Sequence, residues 1–93
     1  MLKIKIIGTE DIKQKALTNR VLKAIEDLRV DVSIVEITNL EDIIAYDIIQ
    51  TPALVIRNQV LCQGIIPQVA ELKGLIAAFL PDVKKNFEST TTT

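Results

Sequence analysis

Cys62 is the one cysteine in a chain of 93 residues, so no internal disulfide can staple this fold. The chain must fold by apolar burial alone, or by burial plus a partner subunit. A domain this short buries only ~60% of the surface its unfolded state exposes, which demands an apolar-rich sequence. That demand is met, with 48% hydrophobic residues, one Tyr, two Phe and no Trp. The length fits one domain, with no room for a second.

Apolar spacing places the elements. Leu2 to Ile7 is rich in β-branched residues and stops at Gly8, a turn signal. From Asp11 to Leu28, the residues Leu17, Val21, Ala24, Ile25 and Leu28 fall on one helical face. Thr9, Glu10 and Asp11 supply capping oxygens and negative charge where the helix dipole favours them. Val30 to Ile37 reads as a second strand, apolar on both faces as a buried strand is. Thr38-Asn39-Leu40-Glu41 matches a capping box opening a short helix through Ile43, Ile44 and Tyr46.

Ala53 to Ile56 and Val60 to Cys62 then read as a hairpin turning through Arg57-Asn58-Gln59, with Cys62 on the face of Val60. Pro67 stands near the first turn of a last helix that buries Val69, Leu72, Leu75, Ile76 and Phe79 and ends at Pro81. The expected division is a domain over 1–80 and a disordered C-terminal tail over 81–93. The order is β-α-β-(short α)-β-β-α. This is an α/β fold with a four-stranded mixed sheet and helices on both faces, since a βαβ unit is parallel and a hairpin antiparallel.

Composition removes several function classes. The chain has no histidine, hence no Ser-His or Cys-His nucleophile pair and no imidazole metal ligand. One cysteine rules out Cys-x-x-Cys metal knuckles. Glu10, Asp11, Glu41 and Asp42 have ordinary helix-start roles, so no metal site and no cofactor is expected. Eleven basic against twelve acidic residues, with Tyr46, Phe79 and Phe87 the only aromatics, argue against a nucleic-acid partner. No run approaches the ~20 apolar residues of a membrane span, and Met1 to Ile7 is too short and too charged for a signal peptide. A cytoplasmic setting is expected.

The string Tyr46-Asp47-Ile48-Ile49-Gln50-Thr51-Pro52-Ala53-Leu54-Val55-Ile56 is the most informative. With Ile6-Ile7-Gly8-Thr9, it resembles the small thioredoxin-like proteins of bacteria and archaea, often called redox-active disulfide proteins. The resemblance runs from about Leu2 to Leu80. It implies a Cys-x-x-Cys at the start of the first helix, where the dipole lowers a thiol's pKa and a second thiol resolves the mixed disulfide. The matching positions here are Asp11 and Gln14. It also implies a cis bond at Thr51-Pro52 and a groove formed by Thr9, Asp11, Thr51 and Pro52, with Thr51 pairing an extended peptide. Asp47 stands where the family commonly has glycine.

Three functions are open on these grounds. The first is a redox-inactive thioredoxin-fold module that binds a protein or peptide. The second is a thiol-disulfide oxidoreductase by descent, working through Cys62 or an external thiol. The third is a structural homodimer, suggested by high apolar content and an open sheet edge. Cys62 itself reads as a small core hydrophobe, with no neighbouring cation or helix start to activate it.

Overall fold

The computed structural model describes residues 2–80. The elements are β1 (Lys3–Ile7), α1 (Ile12–Leu28), β2 (Ser33–Ile37), α2 (Leu40–Ala45), β3 (Ala53–Ile56), β4 (Gln59–Gln63) and α3 (Val69–Ala77). The tail expected over 81–93 lies outside the described residues.

The strands form one mixed sheet in the order β2-β1-β3-β4. β1 runs parallel to β2 and antiparallel to β3, and β3 is antiparallel to β4. Alternation along β1 and β3 sends Ile4, Ile6, Leu54 and Ile56 to one face. There they meet Leu17, Val21 and Ala24 of α1 and Leu72 and Ile76 of α3 in the larger core. Each fully buried Ile, Leu or Val side chain among them contributes about 1.5–3 kcal/mol. The opposite face holds a smaller cluster of Ile7, Ile48, Ala53 and Val55, against which Ile43, Tyr46 and Ile37 pack. α1 and α3 thus cover one face and α2 part of the other.

Local chemistry fixes the ends. Asp11 caps α1, its Oδ1 accepting from the Gln14 amide at 3.0 Å. The helix stops at Arg29, which takes a left-handed conformation and donates to the Ile25 and Glu26 carbonyls. Asp47 has φ 55°, a conformation aspartate tolerates better than most residues. Arg57 and Asn58, at φ 50° and 64°, make a tight two-residue hairpin loop between β3 and β4. Positive φ at both positions suits the twist of the flanking strands.

Four expectations are corrected. β2 is an edge strand with no fully buried residue; its apolar side chains are only half covered, since among the described residues no strand flanks it on its outer side. The cap of α2 is Asn39, not Thr38, because the Asn39 Oδ1 accepts from the Asp42 amide at 2.8 Å. α3 ends at Ala77 rather than running on to Pro81, because the Phe79 and Leu80 amides bond three residues back, to Ile76 and Ala77, instead of four. Last, Cys62 does not share a face with Val60. Leu54 pairs Cys62 while the next residue, Val55, pairs Val60, so Leu61 is an extra residue that bulges the strand. Val60 packs in the smaller cluster and Cys62 against the larger core.

Candidate functional site

Ile7 pairs with Ala53, and Ala53 with Gln63, so these three mark one end of the sheet. From that row leave the turn into α1, the segment arriving at Thr51-Pro52, and the segment beginning at Gly64. The Thr51–Pro52 peptide bond is cis, and Pro52 is buried while Thr51 is half-buried.

The turn into α1 is built on Gln14. Its side chain is 1% exposed, and Oε1 accepts from the Glu10 amide at 2.7 Å. That bond holds Glu10 at φ 61° and leaves Thr9, Glu10 and Asp11 on the surface. Nε2 of Gln14 is buried without a hydrogen-bond partner among the described residues, an uncommon and costly state for an amide donor. Gly8 completes the contact. A Cβ at that position would lie 2.5 Å from Gln14 Oε1 and 3.4 Å from Pro52 Cα, so only glycine lets these three residues close together.

The Pro52 segment is held from β4. Gln63 Oε1 accepts from the Ile49 and Gln50 amides at 2.7 and 3.1 Å, and the Gly64 amide donates to the Pro52 carbonyl at 2.9 Å. Gly64 has φ 74°, and the Gln50 side chain lies where a Cβ would project. Arg20 of α1 donates to the Ile66 and Pro67 carbonyls at 2.8 and 3.2 Å, fixing the third segment. Three large apolar side chains stand on these segments in the open: Ile12 at 85%, Ile49 at 87% and Ile65 at 56% exposure. Sequence spacing could not reveal them, because a surface isoleucine in a loop reads like a core one.

Cys62 belongs elsewhere. It lies on β4, two strands from β1 and thus roughly 10 Å across the sheet at ~4.8 Å per strand, half-buried under the larger core. Burial pushes its thiol up from the ordinary value; the Leu54 backbone hydrogen bond offsets part of this, and the Glu71 carboxylate adds to the rise. The structure therefore gathers Gly8, Gln14 and Pro52, sets Thr9, Asp11 and Thr51 on the segments around them, and leaves Cys62 out. Gly8, Gln63 and the three isoleucines are the parts the sequence did not disclose. Among the described residues no three potential ligands of the His, Cys, Asp or Glu type converge on one point, and no helix is long and apolar enough to cross a membrane.

A β2-β1-β3-β4 mixed sheet, two helices on one face, and a proline segment packed beside the start of the first helix define a thioredoxin-like architecture. The chain belongs to the thioredoxin-domain family, whose profile, described as "Thioredoxin domain", matches residues 2–77. It is similar to a thioredoxin of the archaeon Methanocaldococcus jannaschii, with 31% identity over 80 residues that cover 86% of this chain and 92% of the relative. No solved structure matches the chain.

Proposed function

We propose that this protein is a redox-inactive thioredoxin-fold module that binds an extended protein or peptide segment at its Pro52 end. The observation that carries the reading is the pairing of exposed Ile12, Ile49 and Ile65 with a rigidly braced turn around Gly8, Gln14 and Pro52. Apolar side chains on preformed loops are the material of recognition surfaces, and a braced surface loses little conformational entropy on binding. Thr51, next to Pro52, supplies main-chain groups for an added strand.

Dithiol exchange needs two thiols: one attacks, forming a mixed disulfide, and the second displaces the substrate thiol. The family's cysteine positions fall on Asp11 and Gln14, which here cap the helix and fill the turn. A monothiol reaction at Cys62, resolved by an external thiol, is disfavoured by its partial burial and its raised pKa. A cytoplasmic location suits a chain that keeps one shielded thiol and no disulfide.

The test titrates the isotope-labelled protein with carboxymethylated insulin B chain, an apolar unfolded segment with blocked thiols. Saturable amide shifts at Ile12, Ile49, Gln50, Thr51 and Ile65, with no reduction of intact insulin, support the reading. Shifts confined to other surfaces, or insulin reduction that Cys62→Ser abolishes, overturn it.

A further inference from the structure

The opposite end of the sheet carries a second, differently built site. Lys3 opens β1, and four residues at ~3.3 Å each put it about 13 Å from Ile7, well away from Pro52. A cavity of about 370 Å³ lies there, lined by Leu2, Lys3, Lys5, Arg57 and Asn58. Its position follows from element lengths. Lys3, Lys5 and Ile7 alternate on the α2 face of β1, but α2 has six residues, about 9 Å of helix. It covers Ile7 and leaves the lysine end of that face open.

What lines the opening is one-sided. Ile4 pairs Ile56, so the next residues outward, Lys3 and Arg57, come side by side, an arrangement that costs stability through like-charge repulsion. Among the described residues the ion pairs are Lys23 with Glu26 and Asp27, and Lys73 with Asp27. Among the described residues no carboxylate lines the cavity or pairs with its three cations.

Two of the donors are already oriented. Lys5 Nζ donates to Tyr46 Oη at 2.7 Å, and Tyr46 Oη donates to Asn58 Oδ1 at 3.0 Å. These bonds use the Asn58 oxygen and leave its NH₂ group, with two of the three lysine N–H bonds, able to turn to the cavity. The lining side chains therefore offer donors and positive charge with almost no free acceptor, the complement of a phosphoryl group, which is anionic and acceptor-rich. Guanidinium meets such a group with two parallel bonds. At ~30 Å³ per water, the cavity holds about twelve waters, more than a bare phosphate fills, and Leu2 offers an apolar wall for the remainder.

We propose that this cavity binds a small phosphomonoester, its phosphoryl group held by Arg57, Lys3 and Lys5 and oriented by Asn58. The site is independent of the Pro52 end and stands whether or not that end binds peptide.

The experiment follows amide shifts during titration with phenyl phosphate, inorganic phosphate and sodium chloride at matched ionic strength. Saturable shifts at Lys3, Lys5, Arg57 and Asn58 are expected from phenyl phosphate, with inorganic phosphate weaker on the same residues. Lys3→Gln and Arg57→Gln should each weaken phenyl phosphate about tenfold, in variants whose amide spectra remain native. Binding should also weaken as pH falls through about 6, where the ester dianion takes up one proton and becomes a monoanion. Shifts reproduced by sodium chloride, or an affinity unchanged in the Lys3→Gln/Arg57→Gln double variant, overturn the proposal.

Discussion

Replacing Gly8 with alanine tests the geometry of the Pro52 end without touching any exposed residue. The new methyl carbon would meet Gln14 Oε1 at 2.5 Å and Gln14 Cδ at 3.3 Å, with Pro52 Cα at 3.4 Å. Backbone does not yield easily, so the glutamine side chain must move. It is buried, and moving it breaks the 2.7 Å bond from the Glu10 amide. Loss of that bond costs about 0.5–1.5 kcal/mol, and an amide left buried without partners costs about 1–3 kcal/mol. Gly8→Ala should therefore destabilise by about 1–3 kcal/mol. With a urea slope of about 1 kcal/mol/M for a domain this small, the midpoint falls by roughly 1–3 M. In a Gln14→Ala background the obstructing atoms are gone, and the same change should be near neutral, or stabilising by about 0.4–1 kcal/mol through reduced unfolded-state entropy. The coupling in the double-mutant cycle is then at least about 1 kcal/mol. Equal costs of Gly8→Ala in the two backgrounds would refute the idea that Gln14 is what Gly8 accommodates.

Three further outcomes follow from features already described. Asp11→Ala should remove the α1 cap and cost about 1 kcal/mol, read by urea denaturation, while Asp11→Asn should retain most of it. Cys62 should label slowly with an alkylating reagent at neutral pH and faster as pH rises, because its folded thiol ionises above the ordinary ~8.5. The raised thiol also sets a sign for stability: the contribution is constant below the unfolded pKa and is lost as pH climbs from there through the folded one. Installing Asp11→Cys with Gln14→Cys should give a chain that closes an intramolecular disulfide under mild oxidation and reduces insulin. Mass spectrometry and turbidity read the two results, and a pair that stays reduced would contradict the assignment of those positions.

Much of the fold was legible in the sequence because local signals and long-range packing agree. The spacing of Leu17, Val21 and Ala24 marks a helix face, and these side chains are fully buried. The β-branched runs give all four strands, and Asn58 marks the hairpin turn. What escaped depends on events at a distance. An extra residue at Leu61 cannot be seen without the partner strand, so simple alternation put Cys62 on the wrong face. Whether β2 is interior or edge is a property of strand order, not of β2. The caps at Thr38 and Asn39 are neighbours of similar chemistry, and hydrogen-bond geometry alone chooses between them. At the candidate site, Asp11 reads from sequence as a cap, but the role of Gln14 requires knowing that Gly8 and Pro52 face it. The bond from Lys5 to Tyr46 spans 41 residues and leaves no local trace.

The bulge at Leu61 also makes the two rims of the sheet unequal as templates. A strand docking on β4 would meet a ladder whose hydrogen-bonding groups fall out of step partway along, so a continuous run of bonds is interrupted there. β2 keeps an unbroken register from Ser33 to Ile37. A chain that extends this sheet therefore has one regular rim to build on, and growth from it would proceed away from the hairpin and its cation-lined cavity.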